Sequence, residues 1–342
     1  MLRPVLGWMS PAGPRARLSI LIFHRVTPKP DPMFPGEPDA ARFDLICSWL
    51  RRWATVLPLE EAVRRLQESS LPARALSITF DDGYADNHDV ALPILKRHGL
   101  SACFFVASGF IDGGCMWNDR IIEAIRLCRD DRLRIPPRFP VEGGDLDLSS
   151  WTARAQAVRR LLGLLKYMPQ AERQACADEL ARAAAVPIPV DLMMSTNQVA
   201  GLASSGMSLG GHTVNHPILA LLPDADALEE IARGRRALQQ MAQQSVELFA
   251  YPNGGPDVDY TERDVRLARQ VGFKAAVSTA WGAAVRGTDP FQLPRFTPWD
   301  AARLRFGARL AMNLRTPVRV ASPSALENVA NSAHVDSRHA AP

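Results

Sequence analysis

Short apolar runs that end in polar or glycine-containing turns alternate with amphipathic helical patterns along most of this chain. That alternation constrains its fold more than any other feature. Runs at Leu18–His24, Ala75–Phe80, Ala102–Ala107, Met207–Gly211, Val246–Tyr251 and Ala275–Thr279, with a weaker one near Leu293–Phe296, read as strands. Between them, Arg42–Trp53, Leu59–Glu68, Asp86–His98, Ala225–Gln243 and Thr261–Val271 carry apolar residues at helical spacing. Short buried strands separated by helices predict an α/β fold: a mainly parallel sheet or barrel with helices outside.

The stretch from about Asp112 to Ser205 breaks the rhythm. It reads as helices at Asn118–Arg129, Trp151–Lys166 and Ala171–Ala185, divided by the Pro- and Gly-containing stretch Arg134–Ser150. Residues 112–205 are therefore expected to be a helical insertion between two strands, a lid or side wall rather than a second domain. Residues 1–16 read as an N-terminal tail, 17–300 as the main domain, 301–321 as a C-terminal segment with a basic amphipathic helix at Ala301–Leu314, and 322–342 as a disordered tail.

Composition removes several classes of function. Hydrophobic residues make up 47% and charged residues 22% of 342, enough for a sizeable core and inconsistent with wholesale disorder. Forty Lys and Arg against 36 Asp and Glu leave a net charge of +4, with no dense basic run interleaved with aromatics. A nucleic-acid partner is not expected. No stretch approaches the ~18 apolar residues of a membrane span. Pro, Gly and Ser interrupt the N-terminal apolar stretch too early for a signal-peptide core. The five cysteines are odd in number, scattered and without a CxxC pair, so the expected setting is the reducing cytoplasm, including the inner face of the membrane.

Three motifs fall just past strands. Thr79-Phe80-Asp81-Asp82-Gly83-Tyr84 places two carboxylates where a parallel strand enters a loop, the usual position of active-site groups. Because successive strand side chains alternate in direction, the two need not share one role. Taken alone, the same residues suit an Asp-Gly turn with a helix N-cap. Gly210-Gly211-His212-Thr213-Val214-Asn215-His216-Pro217 sets two imidazoles four residues apart, able to share a metal that a carboxylate from elsewhere completes. Pro217 argues for a strand-end loop there instead of a long helix. Phe249-Ala250-Tyr251-Pro252-Asn253-Gly254-Gly255 suits a tight turn whose backbone N–H groups could face an oxyanion. His24 and Arg295 adjoin strands as well, positions where a buried structural histidine and a surface arginine are the ordinary alternatives.

Together these residues resemble the polysaccharide deacetylase family, carbohydrate esterase family 4. Its order of TFDDG, then H-[ST]-x-x-H, then a Tyr/Pro turn recurs as Thr79–Gly83, His212–His216 and Tyr251–Asn253. Phe23-His24-Arg25-Val26 and the Phe-Ala-Tyr-Pro turn look most like the poly-N-acetylglucosamine deacetylases, in which the motif order is permuted. The resemblance implies a distorted (β/α) barrel of about seven strands, with the motifs at the strands' C-terminal ends. It implies metal ligation by Asp82, His212 and His216, with Asp81 as catalytic base. The family's usual Arg-x-Pro-Tyr reads Ala250-Tyr251-Pro252-Asn253 here, so its Arg is missing; Arg295 is expected to supply that charge and orient Asp81. No histidine stands where the family's late Leu-x-His motif gives the acid, and the permuted branch points to His24 instead.

The implied reaction is hydrolysis of an N-acetyl amide on an aminosugar of a polysaccharide, oligosaccharide or glycoconjugate. A divalent metal, zinc first for a two-imidazole, one-carboxylate set, would activate water and polarise the carbonyl. The Tyr251-Pro252-Asn253 turn is expected to help hold the oxyanion and His24 to protonate the amine. Two alternatives are a deacetylase or deformylase of a lipid-linked sugar, with Ala301–Leu314 making peripheral contact with the bilayer, and a non-catalytic carbohydrate-binding module.

Overall fold

The computed structural model describes residues 2–141, 144–297 and 300–322. Among the described residues nine strands form: β1 (Ser19–Phe23), β2 (Thr55–Val56), β3 (Ala75–Phe80), β4 (Cys103–Val106), β5 (Arg132–Arg134), β6 (Asp145–Asp147), β7 (Ser208–Gly211), β8 (Leu248–Ala250) and β9 (Ala275–Val277). Seven of them make one parallel sheet in the order β1-β3-β4-β7-β8-β9, with β2 on the lower half of β3. The register sets Phe23 beside Phe80, Phe80 beside Phe104, and Val106 beside Gly211, so the C-terminal ends lie together. The run expected at Leu293–Phe296 is not a full strand. It makes two single-residue parallel bridges, Val277 to Leu293 and Leu21 to Phe296, and so links the sheet's two edges. The result is the distorted (β/α) barrel expected.

Strand parity explains the core. Leu76, Ile78 and Phe80 point outward and pack under helices with Phe43, Leu50 and Leu95. Ile20, Ala75, Cys103, Phe105, Leu248, Ala275 and Val277 form a second cluster inside the barrel. The helix Leu59–Gln67 joins that cluster at the strands' N-terminal end, where Glu60 accepts from the Ser208 hydroxyl at the start of β7. The expected helices appear with ends shifted by a residue or two, which is normal fraying. One departs from the pattern: Asp86–His98 opens on a π turn at Asn87–Ala91 before the α-helix Leu92–His98.

The insertion contains helices Trp117–Leu127, Trp151–Leu165 and Gln170–Ala183, plus the hairpin β5–β6 and a helix at Thr196–Ser204 that periodicity did not show. Its apolar residues form a small core of their own, from Ile121 to Leu180. The N-terminal stretch is not the expected tail. Leu2–Met9 is a helix whose Leu6 is buried in the main core, packed beside the helix Arg303–Asn313. Residues 323–342, expected to be disordered, lie outside the described residues. None of the described helices is long and apolar enough to cross a membrane.

Candidate active site

A cavity of about 310 Å³ opens at the C-terminal ends of the strands. Asp81 and Asp82 follow β3, His212 and His216 follow β7, His24 follows β1, and Asn253 and Thr279 follow β8 and β9; all of them line the cavity. Asp81 keeps the inward parity of Ser77 and Thr79. By alternation Asp82 would turn away, but its φ of +77° swings the carboxylate back into the same space. Gly83 continues the turn at φ +93°, where a Cβ would lie 2.8 Å from Val106 Cγ1. That is the local reason the Asp-Asp pair is followed by glycine.

The histidine loop is held from two sides. Thr213 Oγ1 accepts from the His216 N–H and donates to the His212 carbonyl, joining the two ends of the H-T-x-x-H turn. Glu230 accepts from the Val214 and Asn215 N–H groups and the Asn215 amide. Glu230 stands on the helix Asp224–Ala242, which reaches the loop because residue 234 is glycine; a Cβ there would sit 2.7 Å from the Thr213 carbonyl. Both Thr213 (φ +64°) and His216 (φ +52°) adopt left-handed conformations. His216 thus sits in a strand-end turn, as Pro217 suggested.

Asp82, His212 and His216 each aim one ligand atom at a common point, all within 4.8 Å of one another. Asp82 Oδ1 lies 3.4 Å from Nε2 of each imidazole. A tetrahedral ion at the ~2.0–2.2 Å distances usual for these ligands separates them by about the same amount. The His212 Nδ1–H donates to the Ala250 carbonyl at 2.7 Å, which turns Nε2 toward the cluster. Burial lowers His216 to about 4, so it is a neutral imidazole near neutrality. Burial also opposes charge on His212, but Asp82 beside Nε2 outweighs it and raises that imidazole. Burial would raise Asp82; the surrounding imidazoles instead hold it far below the usual carboxylate range. This donor set suits a divalent cation at the point the three ligand atoms share.

Asp81 is held apart from that cluster. Arg295, fully buried, donates from both terminal nitrogens to the two Asp81 oxygens at 2.7 Å each. Its Nε donates to the Ser278 carbonyl and one terminal nitrogen also meets Thr79 Oγ1. Arg295 therefore rises through the barrel interior, with its guanidinium over the Phe105 ring. Burial pushes Asp81 up, yet the guanidinium more than compensates and keeps its carboxyl below the usual range. His24 is exposed on the cavity wall.

The oxyanion turn needs correction. Tyr251 is a core residue: its N–H donates to the Val277 carbonyl, its hydroxyl to the Phe291 carbonyl, and its ring stacks on Tyr260. Pro252 has no N–H. Of the three, only Asn253 lines the cavity; its φ is +61° and its N–H meets no protein acceptor among the described residues.

Several lining residues were not anticipated. Asp119 and Asn118 come from the helix Trp117–Leu127, so the insertion does build a side wall. The Tyr84 hydroxyl donates to Asp119 Oδ1 at 2.9 Å, while the buried Oδ2 has no hydrogen-bond partner. Burial, and then the charge of Asp82, push Asp119 up to about 7. In sequence, an acidic residue in the first turn of a helix reads as ordinary dipole compensation, so nothing marked it. Arg25 and Glu37 also line the wall, Arg25 bonded to Asp86 and stacked on Tyr84.

Comparison with known proteins gives this geometry a family. The polysaccharide deacetylase family model matches residues 68–134 and 170–276, about half of the chain. The chain belongs to the polysaccharide deacetylase family. The two matched segments span both the Asp-Asp and histidine motifs, and the gap between them falls inside the insertion. Membership makes this chain an enzyme acting on amide bonds. A Bacillus subtilis (strain 168) relative of the same class, YxkH, is 21% identical over 291 residues, 84% of this chain and 74% of that protein. Among solved structures, IcaB from Ammonifex degensii superposes with a TM-score of 0.56 at 19% identity, over 89% of this chain and 98% of its own. The Streptococcus pyogenes deacetylase PplD, in complex with acetate, gives 0.54 at 20% identity, over 82% and 92%. These likenesses establish a shared fold.

Proposed function

We propose that this polysaccharide deacetylase removes N-acetyl groups from an N-acetylated aminosugar polymer or glycoconjugate with the help of a divalent metal, zinc first among the candidates. The observation that carries the proposal is the separation of the two carboxylates: Asp82 shares a point with two imidazoles, while Asp81 is clamped by Arg295 beside it in the same cavity. The acetate held by PplD, a deacetylase of the same fold, supports acetyl as the group removed. The similarity to IcaB supports placing the chain in the branch with permuted motifs.

Asp82, His212 and His216 would hold the divalent ion, which when bound would supply Lewis acidity, lowering the pKa of water to about 7 and polarising the acyl carbonyl. The chain's own groups supply the rest. Asp81, ionised and desolvated, takes a proton from the attacking water as the C–O bond forms. Arg295 occupies one lone-pair direction on each Asp81 oxygen and fixes the carboxylate's orientation, leaving the remaining lone pairs to accept that proton. The Asn253 N–H, which meets no protein acceptor among the described residues, is the donor we assign to the carbonyl oxygen as it gains charge. When the C–N bond breaks, the nitrogen needs a proton, and we assign its donation to His24, which is exposed on the cavity wall.

The test joins metal analysis to acetate release from N-acetylated sugars of several lengths. Asp82→Asn should lose metal, whereas Asp81→Asn should keep it and lose most turnover. Equal loss of metal in both variants would refute the division of roles.

A further inference from the structure

The helix Leu2–Met9 packs beside Arg303–Asn313, with Leu2 seated on Gly307. Both helices are half-used. Leu6, Phe306 and Leu310 enter the main core, but Trp8 stays 75% exposed, Leu304 87% and Met312 62%. Leu304 and Met312 are two turns apart on the helix, with Arg305 and Arg315 on the same outward side. Single exposed apolar residues are common on protein surfaces. Here they lie on two touching helices, each with an outward face that mixes apolar and cationic groups.

The charge on these segments has one sign. Residues 2–17 and 301–322 together hold eight arginines and no Asp or Glu, although the whole chain is nearly balanced at +4. Arg3, Arg15, Arg305, Arg315 and Arg319 are exposed and have no carboxylate partner among the described residues. Beside Trp8, a groove of about 560 Å³ is lined by Arg15, Arg17 and Arg286 and by no carboxylate. An aromatic ring at a cationic groove, on a helix pair that also exposes aliphatic side chains, matches the layering of a bilayer surface: phosphate outside, acyl chains just beneath.

We infer that the two terminal helices form a membrane-docking surface that binds anionic phospholipid, with the Arg15–Arg286 groove taking headgroup phosphate and Trp8, Leu304 and Met312 entering the interface. None of the described helices is long and apolar enough to cross a bilayer, and the contact inferred here is a peripheral, salt-sensitive one. None of these residues lines the catalytic cavity, so docking and catalysis can be measured separately.

The test is flotation of the full chain with vesicles of phosphatidylcholine alone or mixed with phosphatidylglycerol. Binding is expected only to the mixed vesicles and should weaken with added salt. Each arginine near an anionic surface is worth about fivefold in partitioning, so Arg3→Gln/Arg305→Gln/Arg315→Gln should lose about a hundredfold. Trp8→Ser/Leu304→Ser should also lose binding while keeping its charge. Both variants change exposed side chains, and unchanged acetate release from a soluble substrate would show that they remain folded. Absence of binding to anionic vesicles, or equal binding by wild type and variants, would overturn the inference. So would capture of inorganic phosphate without vesicles, or self-association of the chain through this face.

Discussion

The Arg295–Asp81 pair offers the sharpest quantitative check, because both partners are buried and the interaction is bidentate. Arg295→Met removes the guanidinium while roughly conserving volume. It leaves the Asp81 carboxylate inside the barrel mouth without its cation and the Ser278 carbonyl without the Nε donor. Stranding one member of a buried pair costs about 3–5 kcal/mol, and an orphaned carbonyl adds about 1 kcal/mol. The pH dependence should also change sign. In the wild type Asp81 titrates below its usual 3.8, so its contribution is present above that pH and lost only in strong acid. Without the guanidinium, burial raises Asp81 above its unfolded value. The variant's stability should then fall as pH rises, and its deficit should shrink towards acid. Urea unfolding of metal-free protein across the acidic and neutral range reads both effects, and Arg295→Met/Asp81→Asn should recover about half of the loss. A deficit under about 1 kcal/mol at neutral pH, or one that grows on acidification, would refute the reasoning.

Three further outcomes are expected. Asp119 titrates near 7 in the fold against its usual 3.8, so the folded state binds its proton more tightly and stability is lost as pH rises between those values. Asp119→Asn, which keeps an acceptor for Tyr84, should flatten that slope in melts of metal-free protein and be more stable by about 1–4 kcal/mol above neutrality. If His24 is the acid, His24→Ala should lower amide turnover ~10²–10⁴-fold, keep metal, and spare an activated ester whose leaving group needs no proton; equal losses on both substrates would point to a role in shape alone. Gly234→Ala should push the Thr213 carbonyl away, cost about 1–3 kcal/mol and weaken metal affinity, read by competition with a chelator.

The barrel was legible because all of its strands except β2 are short apolar runs closed by a polar turn, and that pattern survives without any tertiary information. Elements stabilised by tertiary contacts were not. β2 is two residues long, and β5 and β6 pair through alternating exposed and buried positions too short to register as a period. Leu2–Met9 contains Pro and Gly and forms against Leu6's buried neighbours, so propensity argued for a tail where packing made a helix. Tyr251 followed the same logic in reverse. It stands in a motif, but its hydroxyl and ring are consumed by Phe291 and Tyr260, which no linear pattern pairs with it.

Strand parity alone would have put Asp81 and Asp82 on opposite faces, and the structure shows how they come to share a cavity without sharing a task. Four of the lining or motif residues, Asp82, Thr213, His216 and Asn253, adopt left-handed backbone conformations that cost non-glycine residues about 1 kcal/mol or more each. Neighbours that leave no alternative enforce this: Glu230 and the close helix at Gly234 hold the histidine loop, and the Thr279 hydroxyl donates to the Asn253 carbonyl. The left-handed turn at Asp82 rotates one carboxylate toward the imidazoles. Its unstrained neighbour continues the strand and meets Arg295, which engages both of its oxygens. A cation between His212 and His216 would therefore find Asp82 as its carboxylate. Asp81 is left ionised and poor in water, with lone pairs to spare, which is the state a proton acceptor needs.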